Sequence, residues 1–351
     1  MAERVVLHVG LMKSGTSFLQ EVLHTNQRVL RDQGVLFPSP WRRQVQAVRD
    51  VIGHGDGDQA PLDDDGPWRS LVSEVRRWPG TAVVSMEFLG PRGPTKTRQI
   101  LAELAPAEIE VVISVRDLAR TVPAMWQETL QNRGTWTWDE YLAGVGAEDR
   151  STPGPGRAFW HRQDAPGITE VWQESAGHDR VVVLTVPPAG APRTLLWERF
   201  ASVVPISGEG IDLDVAANPS LGLASLLVLQ RLNQRLGAMA EPLTPAQYER
   251  VVKRLLAKRW LAGRDDDPRL GYDAAWVAER GDRDLARLQE LRPRVLGDLE
   301  ELRCRPVPGH DPHDVTAEMR LDAALDAVQQ AVVAMARRPE RFGSDADNSA
   351  G

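Results

Sequence analysis

A single cysteine, Cys304, stands in a chain of 351 residues. No internal disulfide can form, so the core has to hold the fold, and such usage fits a reducing compartment. A basic excess is also missing: 42 Lys and Arg against 49 Asp and Glu leave a formal net charge of −7. That argues against a general nucleic-acid binder and disfavours a long polyanionic acceptor. Long apolar runs are absent as well. Arg4 to Val9 is only strand length and runs straight into a glycine loop, whereas a signal peptide needs a basic region, a longer apolar stretch and a cleavage site. Nothing approaches the ~20 apolar residues of a spanning helix. The expectation is a soluble, cytoplasmic protein with no transmembrane segment. Hydrophobic residues at 42% and charged residues at 26% place the chain among globular rather than disordered sequences.

What is present is a set of four short valine-rich runs: Val5 to Val9, Thr81 to Met86, Glu110 to Val115 and Arg180 to Val186. More polar sequence of helical period separates them, the pattern of a parallel sheet covered on both faces. The fold class predicted is α/β, a P-loop-like three-layer sandwich with a central parallel sheet and a helical C-terminal extension. Residues 1–217 are expected to form the α/β core, 218–336 the helical extension, and 337–351 a disordered tail. Within the extension, Thr244-Pro245-Ala246-Gln247 reads as a capping box with proline at the first helical position. Tyr248, Val251, Val252, Leu255 and Leu256 then share one apolar face. A last helix carries Leu321, Ala324, Leu325, Val328, Val332 and Met335. Gly53 to Asp58 and Asp63 to Gly66 read as a mobile loop whose spacing does not match an EF-hand.

Ligands in open parallel sheets bind beyond the carboxyl ends of the strands. There the first run leads into Gly10-Leu11-Met12-Lys13-Ser14-Gly15-Thr16-Ser17, followed by the helical pattern Phe18, Leu19, Val22, Leu23. A strand, a glycine loop and a helix start together make an anion cradle, with backbone amides aimed at the ligand. Gly10 and Gly15 keep the glycine spacing of the nucleotide-hydrolase loop G-x-x-x-x-G-K-[ST], but Thr16 holds the lysine position and the lysine has moved inside, to Lys13. A glycine turn that merely closed a strand–helix unit would leave the ordered run from Lys13 to Ser17 without a reason.

The stretch from His8 to Gln20 resembles the 5′-phosphosulfate loop of sulfotransferases that use 3′-phosphoadenosine-5′-phosphosulfate (PAPS), in the bacterial, actinobacterial-like branch that typically reads H-x-G-x-x-K-[ST]-G-T-[ST]-x-L-Q. Gly34-Val35-Leu36-Phe37-Pro38, Trp160 to Asp164, Leu195 to Phe200, Asn218 to Leu221 and Gly297 to Leu302 are similar to that branch too, so the likeness runs over about residues 4 to 302. The resemblance implies that Lys13, Ser14, Gly15, Thr16 and Ser17 bind the donor, with Lys13 neutralising the leaving phosphate. It implies no metal.

Arg116 ends the third run, where an arginine can grip a phosphate with two parallel hydrogen bonds. In the family this resembles the 3′-phosphate segment, an arginine followed eight positions later by a serine. Here that position is Ala124, and Thr121 is the nearest substitute hydroxyl. Asp117, the candidate Walker-B acid, is preceded by a basic residue. Glu87 ends the second run between Met86 and Phe88, on the same rim as Lys13 and Arg116. It is the candidate base for an acceptor hydroxyl or amine, and the Ser-x-Glu pattern resembles relatives. His54 is the rival base, and His8 and His24 read as structural. Trp126, Trp136, Trp138 and Trp160 fall around the expected acceptor side, where they could stack on a ring.

The function implied is sulfuryl transfer from PAPS to a small-molecule, sugar or lipid acceptor, with the product nucleotide PAP released. Two other readings stay open: an ATP-dependent phosphoryl transferase of P-loop type, and a non-catalytic protein that binds PAP or PAPS.

Overall fold

The computed structural model describes residues 2–38, 40–53, 65–215 and 220–337. His54, Asn218 and the tail from Gly343 lie outside these. The four valine-rich runs form β1 (Arg4–His8), β3 (Thr81–Ser85), β4 (Glu108–Val115) and β5 (Val181–Thr185), joined by β2 (Val35–Leu36) and β6 (Arg294–Leu296). The six strands lie in the order β2-β3-β1-β4-β5-β6, every neighbouring pair parallel. The fold is thus α/β around an all-parallel sheet. β6 comes from residues that the sequence pattern assigns to the helical extension. At three residues it is too short to show a period, and it gains its place by pairing with β5.

Both faces of the sheet are covered, as continuous apolar strands require. Side chains alternate with period two: Val5, Leu7 and Val9 enter one core, and Val6 enters the other. Along the chain come α1 (Thr16–Thr25), α2 (Gln27–Asp32), α3 (Trp41–Ile52), α4 (Pro67–Arg77), α5 (Pro94–Leu104), α6 (Leu118–Gln131), α7 (Trp138–Gly146), α8 (Pro155–Gln163), α9 (Ala165–Ala176) and α10 (Thr194–Ala201). They are followed by α11 (Leu223–Gly237), α12 (Pro245–Tyr248), α13 (Ala275–Leu291) and α14 (Ala317–Ala336). Val48 and Val51 of α3, Leu71 of α4, Ile100 of α5 and Trp172 of α9 fill one layer, while Leu19 and Leu23 of α1 with Trp197 and Phe200 of α10 fill the opposite one.

Two compact units emerge. The first comprises Met1–Trp126, Trp136–Asn218 and Gly271–Pro308, and holds the whole sheet. The second comprises Gln127–Thr135, Pro219–Leu270 and Gly309–Gly351. In the second unit the expected capping box is present: Thr244 Oγ1 accepts from Gln247 N at 3.2 Å, and Thr244 N donates to Gln247 Oε1 at 2.8 Å. Beyond α12, however, Glu249–Leu261 is a π-helix. Its buried positions are Val252, Ala257 and Leu261, which follow the buried Tyr248 at the end of α12 at steps of four, five and four. That stride belongs to i→i+5 bonding, seen where Ala262 N donates to Ala257 O. The sequence-based face drawn at 3.6 residues per turn therefore misplaces Val251, which is 43% exposed.

α14 also departs from expectation. Its small residues, Ala323 and Ala327, face inward, while Leu321, Leu325, Val328, Val332 and Met335 stay exposed at 55–62%. No helix among the described residues is long and apolar enough to cross a membrane.

The π-helix makes a direct prediction in chemical denaturation of the full chain. Val252→Asp, burying an unpaired carboxylate, should cost ~3 kcal/mol or more, and Val251→Asp should stay within ~0.5 kcal/mol of the unaltered chain. Equal costs at the two positions would contradict the observed stride.

Candidate active site

The carboxyl edge of the sheet gathers the pieces. β1 lies between β3 and β4, in register His8 with Ser85 on one side and with Val112 on the other. Hydrogen bonds carry the pairing past the strand ends: Met86 N to His8 O, Val9 N to Val112 O and Leu11 N to Ser114 O, each 2.9 Å. The loop after β1 is thus stitched to β4, which ends at Val115, just before Arg116. From above, Gln163 Nε2 of α8 donates to Met12 O at 2.9 Å.

Within the loop, Lys13 takes φ +64° and Gly15 φ +81°, the left-handed region that non-glycine residues seldom enter. The turn that holds Lys13 there is closed by Ser14 Oγ, which donates to Leu11 O at 2.5 Å. A Cβ at Gly15 would overlap the Leu196 side chain of α10, so this glycine is required by both conformation and space. Gly10 is different. Its φ is not positive, but a Cβ there would overlap Ser114 Oγ and lie 2.8 Å from His8 Nε2. Helix α1 begins its internal bonding with Phe18 N and Leu19 N donating to Gly15 O. The amides of Gly15, Thr16 and Ser17 therefore precede the first intrahelical donor, where a helix start presents N–H groups and a partial positive charge. The side chains divide: Ser14 and Thr16 are buried, Lys13 is half-buried and Ser17 is exposed. The Ser14 hydroxyl is engaged inside, with Leu11 O and Ser114 Oγ.

Glu87 opens the one-turn 3₁₀ helix Glu87–Leu89 immediately after β3. That turn sits against the loop, for a Cβ at Gly90 would come within 2.7 Å of Val9 O. Gln20 of α1 donates to Glu87 Oε2 at 3.2 Å and to Ser85 O at 3.2 Å. The base candidate and the anion loop are therefore held by the same helix.

Arg116 is half-buried and turned onto the start of α6. It donates from Nη2 to Arg120 O at 2.7 Å, and its Nε lies 3.5 Å from Thr121 Oγ1. Burial, with Arg120 adding like charge, lowers its pKa to about 10, which leaves it charged at neutral pH. Asp117 pairs with Arg120, accepting from its N at 2.9 Å and from its Nε. Arg116, Leu11, Gln163 and Asp284 line one small cavity of ≈ 20 Å³, about the room of one water.

Of the four tryptophans expected around an acceptor, Trp126, Trp138 and Trp160 are core residues, 0–5% exposed. Trp126 and Trp138 pack at 5.1 Å between ring centroids, and Phe159 and Trp160 at 4.8 Å. Only Trp136 is half-buried. His24 is exposed and meets Gln27. Gln20, Ser85, Ser114 and Gln163 were not singled out as site residues, because their roles arise only where three strands and two helices converge. Among the described residues no three His, Cys, Asp or Glu side chains cluster as a metal ion would need.

No family model and no curated protein matches this chain. Among solved structures it is similar to a sulfotransferase from Alicyclobacillus acidocaldarius, at 18% identity and a TM-score of 0.42, over 69% of this chain and 97% of that one. So distant a likeness leaves the chemistry to be carried by this chain's own residues.

Asp284 gives a pH test of the cavity beside Arg116. Burial, reinforced by Asp164 and Glu148, outweighs its partner Arg280 and raises its pKa to about 6. A carboxyl with a raised folded pKa favours the fold most below its unfolded value of ~3.9 and loses that contribution as pH rises through about 6. Between those values the unaltered chain should lose stability relative to Asp284→Asn as pH rises. Parallel stability–pH curves for the two proteins would show that burial does not outweigh Arg280 at this carboxyl.

Proposed function

We propose that this protein is a PAPS-dependent sulfotransferase acting on a hydroxyl or amine of a small-molecule, sugar or lipid acceptor. The observation that carries the reading is the placement of Lys13. Lys13 itself is a residue of the glycine-bounded turn at the end of β1, directly before the amides of α1, and Gln20 of that same helix pins Glu87. The residues support an in-line displacement. The acceptor oxygen or nitrogen attacks sulfur and gives its proton to Glu87. The bond from sulfur to the bridging oxygen breaks, and Lys13 with the amides of Gly15, Thr16 and Ser17 takes up the charge on the leaving phosphate. Arg116 is the candidate for the 3′-phosphate of the donor, with the Thr121 hydroxyl beside it in place of one at position 124.

The phosphoryl-transfer alternative has less support. In a nucleotide-hydrolase loop the position before Ser17 carries the phosphate-binding lysine; here it is Thr16, 4% exposed and turned toward Gly10. Asp117, the candidate acid for Mg²⁺, is occupied by Arg120. A non-catalytic PAP binder would need the loop but not Glu87.

Calorimetry should find binding of PAP and PAPS and none of Mg-ATP; the reverse order would favour phosphoryl transfer. Lys13→Ala should lower turnover ~10²-fold or more with the fold intact. Glu87→Gln should lower kcat by roughly 10²-fold with PAPS affinity unchanged. Unaltered turnover in either variant would remove that residue from the mechanism.

A further inference from the structure

Five polar groups form an unbroken buried chain across the site. Gln20 Nε2 lies 3.3 Å from Ser85 Oγ, Ser85 Oγ 2.8 Å from His8 Nδ1, and His8 Nε2 3.1 Å from Ser114 Oγ. Ser114 Oγ is 2.7 Å from Ser14 Oγ, which lies 2.5 Å from Leu11 O. The proton positions follow from the two ends. Gln20 must present its NH₂, because Glu87 and the Ser85 carbonyl both face it as acceptors. Leu11 O can only accept. Gln20 Nε2 has two protons for three acceptors, Glu87 Oε2, Ser85 O and Ser85 Oγ, so the two Ser85 oxygens share one. From Ser85 to Leu11 O there remain four contacts and, with a neutral imidazole, four protons: one on each serine and one on His8.

Only one arrangement gives every contact a proton. Ser85 donates to His8 Nδ1, His8 Nε2–H donates to Ser114, Ser114 donates to Ser14, and Ser14 donates to Leu11 O. The Nδ1–H tautomer would leave the Ser85 proton unused and one downstream contact empty. An imidazolium would add a buried charge and also displace the Ser85 proton, and burial lowers the His8 pKa to about 3. Gly10 leaves the space that the His8–Ser114 contact occupies.

Resting on the sulfotransferase reading above, we propose that His8 is a positioning residue: as the Nε2–H imidazole at the middle of a one-directional hydrogen-bond chain, it sets both the carboxylate of Glu87, through Ser85 and Gln20, and the turn that presents Lys13, through Ser114 and Ser14. Base and anion cradle then share one rigid support, and each arm can be cut separately.

The test combines a spectroscopic and a kinetic readout on the full chain. Two-bond ¹H–¹⁵N correlation spectra, with His8 assigned by its loss in His8→Gln, should show Nε2 protonated and Nδ1 bare, without change down to about pH 5. Protonated Nδ1, or titration near ~6.5, would overturn the proposal. In transfer assays Ser85→Ala should lower kcat about tenfold with PAP affinity within about twofold, and Ser14→Ala should weaken PAP binding about tenfold. His8→Leu should show both losses, and His8→Gln, which keeps a donor and an acceptor, should recover part of each. Folded Ser85→Ala and Ser14→Ala proteins with unaltered kcat and PAP affinity would also overturn it. If the histidine variants do not fold, the two serine variants still decide. A native chain that binds PAP but transfers nothing defeats the catalytic reading alone; the tautomer and the effect of Ser14→Ala on PAP binding then decide the role of His8.

A second, independent observation concerns α14. Leu321, Leu325, Val328, Val332 and Met335 repeat at steps of four, three, four and three, the seam of a two-helix coiled coil, and all are exposed. We infer that a second copy of this chain covers this stripe, helix against helix. At about 100 Å² a side chain, two copies would bury about 1,000 Å², where specific interfaces begin. The flanking charges are Glu318, Asp322, Asp326 and one arginine, Arg320, unlike the lysine-rich flank of a helix that lies on an anionic bilayer. Sedimentation at micromolar concentration should give a dimer, and Leu325→Asp with Val332→Asp a folded monomer. A monomeric native chain, a dimer indifferent to both substitutions, or binding of the stripe to phosphatidylserine vesicles instead, would each overturn this inference.

Discussion

Three adjacent strands each bring one polar side chain to the same buried place: Ser85 from β3, His8 from β1 and Ser114 from β4. Burying such groups is unfavourable unless every donor and acceptor is matched. Here they match one another only when β1 stands in register with both neighbours. A slip of one residue would turn His8 to the opposite face and strand two hydroxyls. The same register stitches Leu11 to β4 and sets the 3₁₀ turn of Glu87 against Val9 and Gly10. The anion loop and the carboxylate are thus fixed by the sheet itself, not by the mobility of a surface loop.

Few cationic groups stand at that edge. One lysine in the turn, the N-terminal amides of α1 and a half-buried arginine supply positive potential, while the position reserved for lysine in nucleotide hydrolases holds a buried threonine. A sulfuryl group in flight carries fewer anionic oxygens than a γ-phosphoryl group, so less neutralisation is needed. Elsewhere in the first unit the charges are structural: Arg199 pairs with Glu301 at 2.6 Å, beside Thr185 at the end of β5, which gives the Gly297–Leu302 segment a packing role.

The four main strands were legible because a parallel strand buried on both faces is written as a run of valines, and the loop was legible because glycine, lysine and hydroxyl residues at fixed spacing have few other reasons to coincide. β2 and β6, at two and three residues, carry no period of their own. The tryptophans are misjudged from their place in the sequence: Trp126 and Trp138 pack on each other and Trp160 on Phe159, which leaves little surface for a ligand. In the helical third, apolar spacing identified the helices but misread Glu249–Leu261, since a 4-5-4 stride resembles 3.6 over so short a window. For α14 the sequence grouped the right residues on one face and could not say that the face looks outward. Ser114 gained its meaning from strand pairing, which no local pattern contains, and Gln20, though it closes the loop motif, gained its partners from the packing of α1 against Ser85 and Glu87.

The central claim is that the lysine-bearing turn and Glu87 transfer a sulfuryl group. The most direct measurement is to incubate the native chain with PAPS radiolabelled on sulfur and a metabolite extract, then separate the products by mass. The account predicts label in a new organic sulfate, with PAP formed in equal amount and neither product in the presence of Lys13→Ala. Label that stays in PAPS across extracts of every polarity, or that moves equally well with Lys13→Ala, would contradict it.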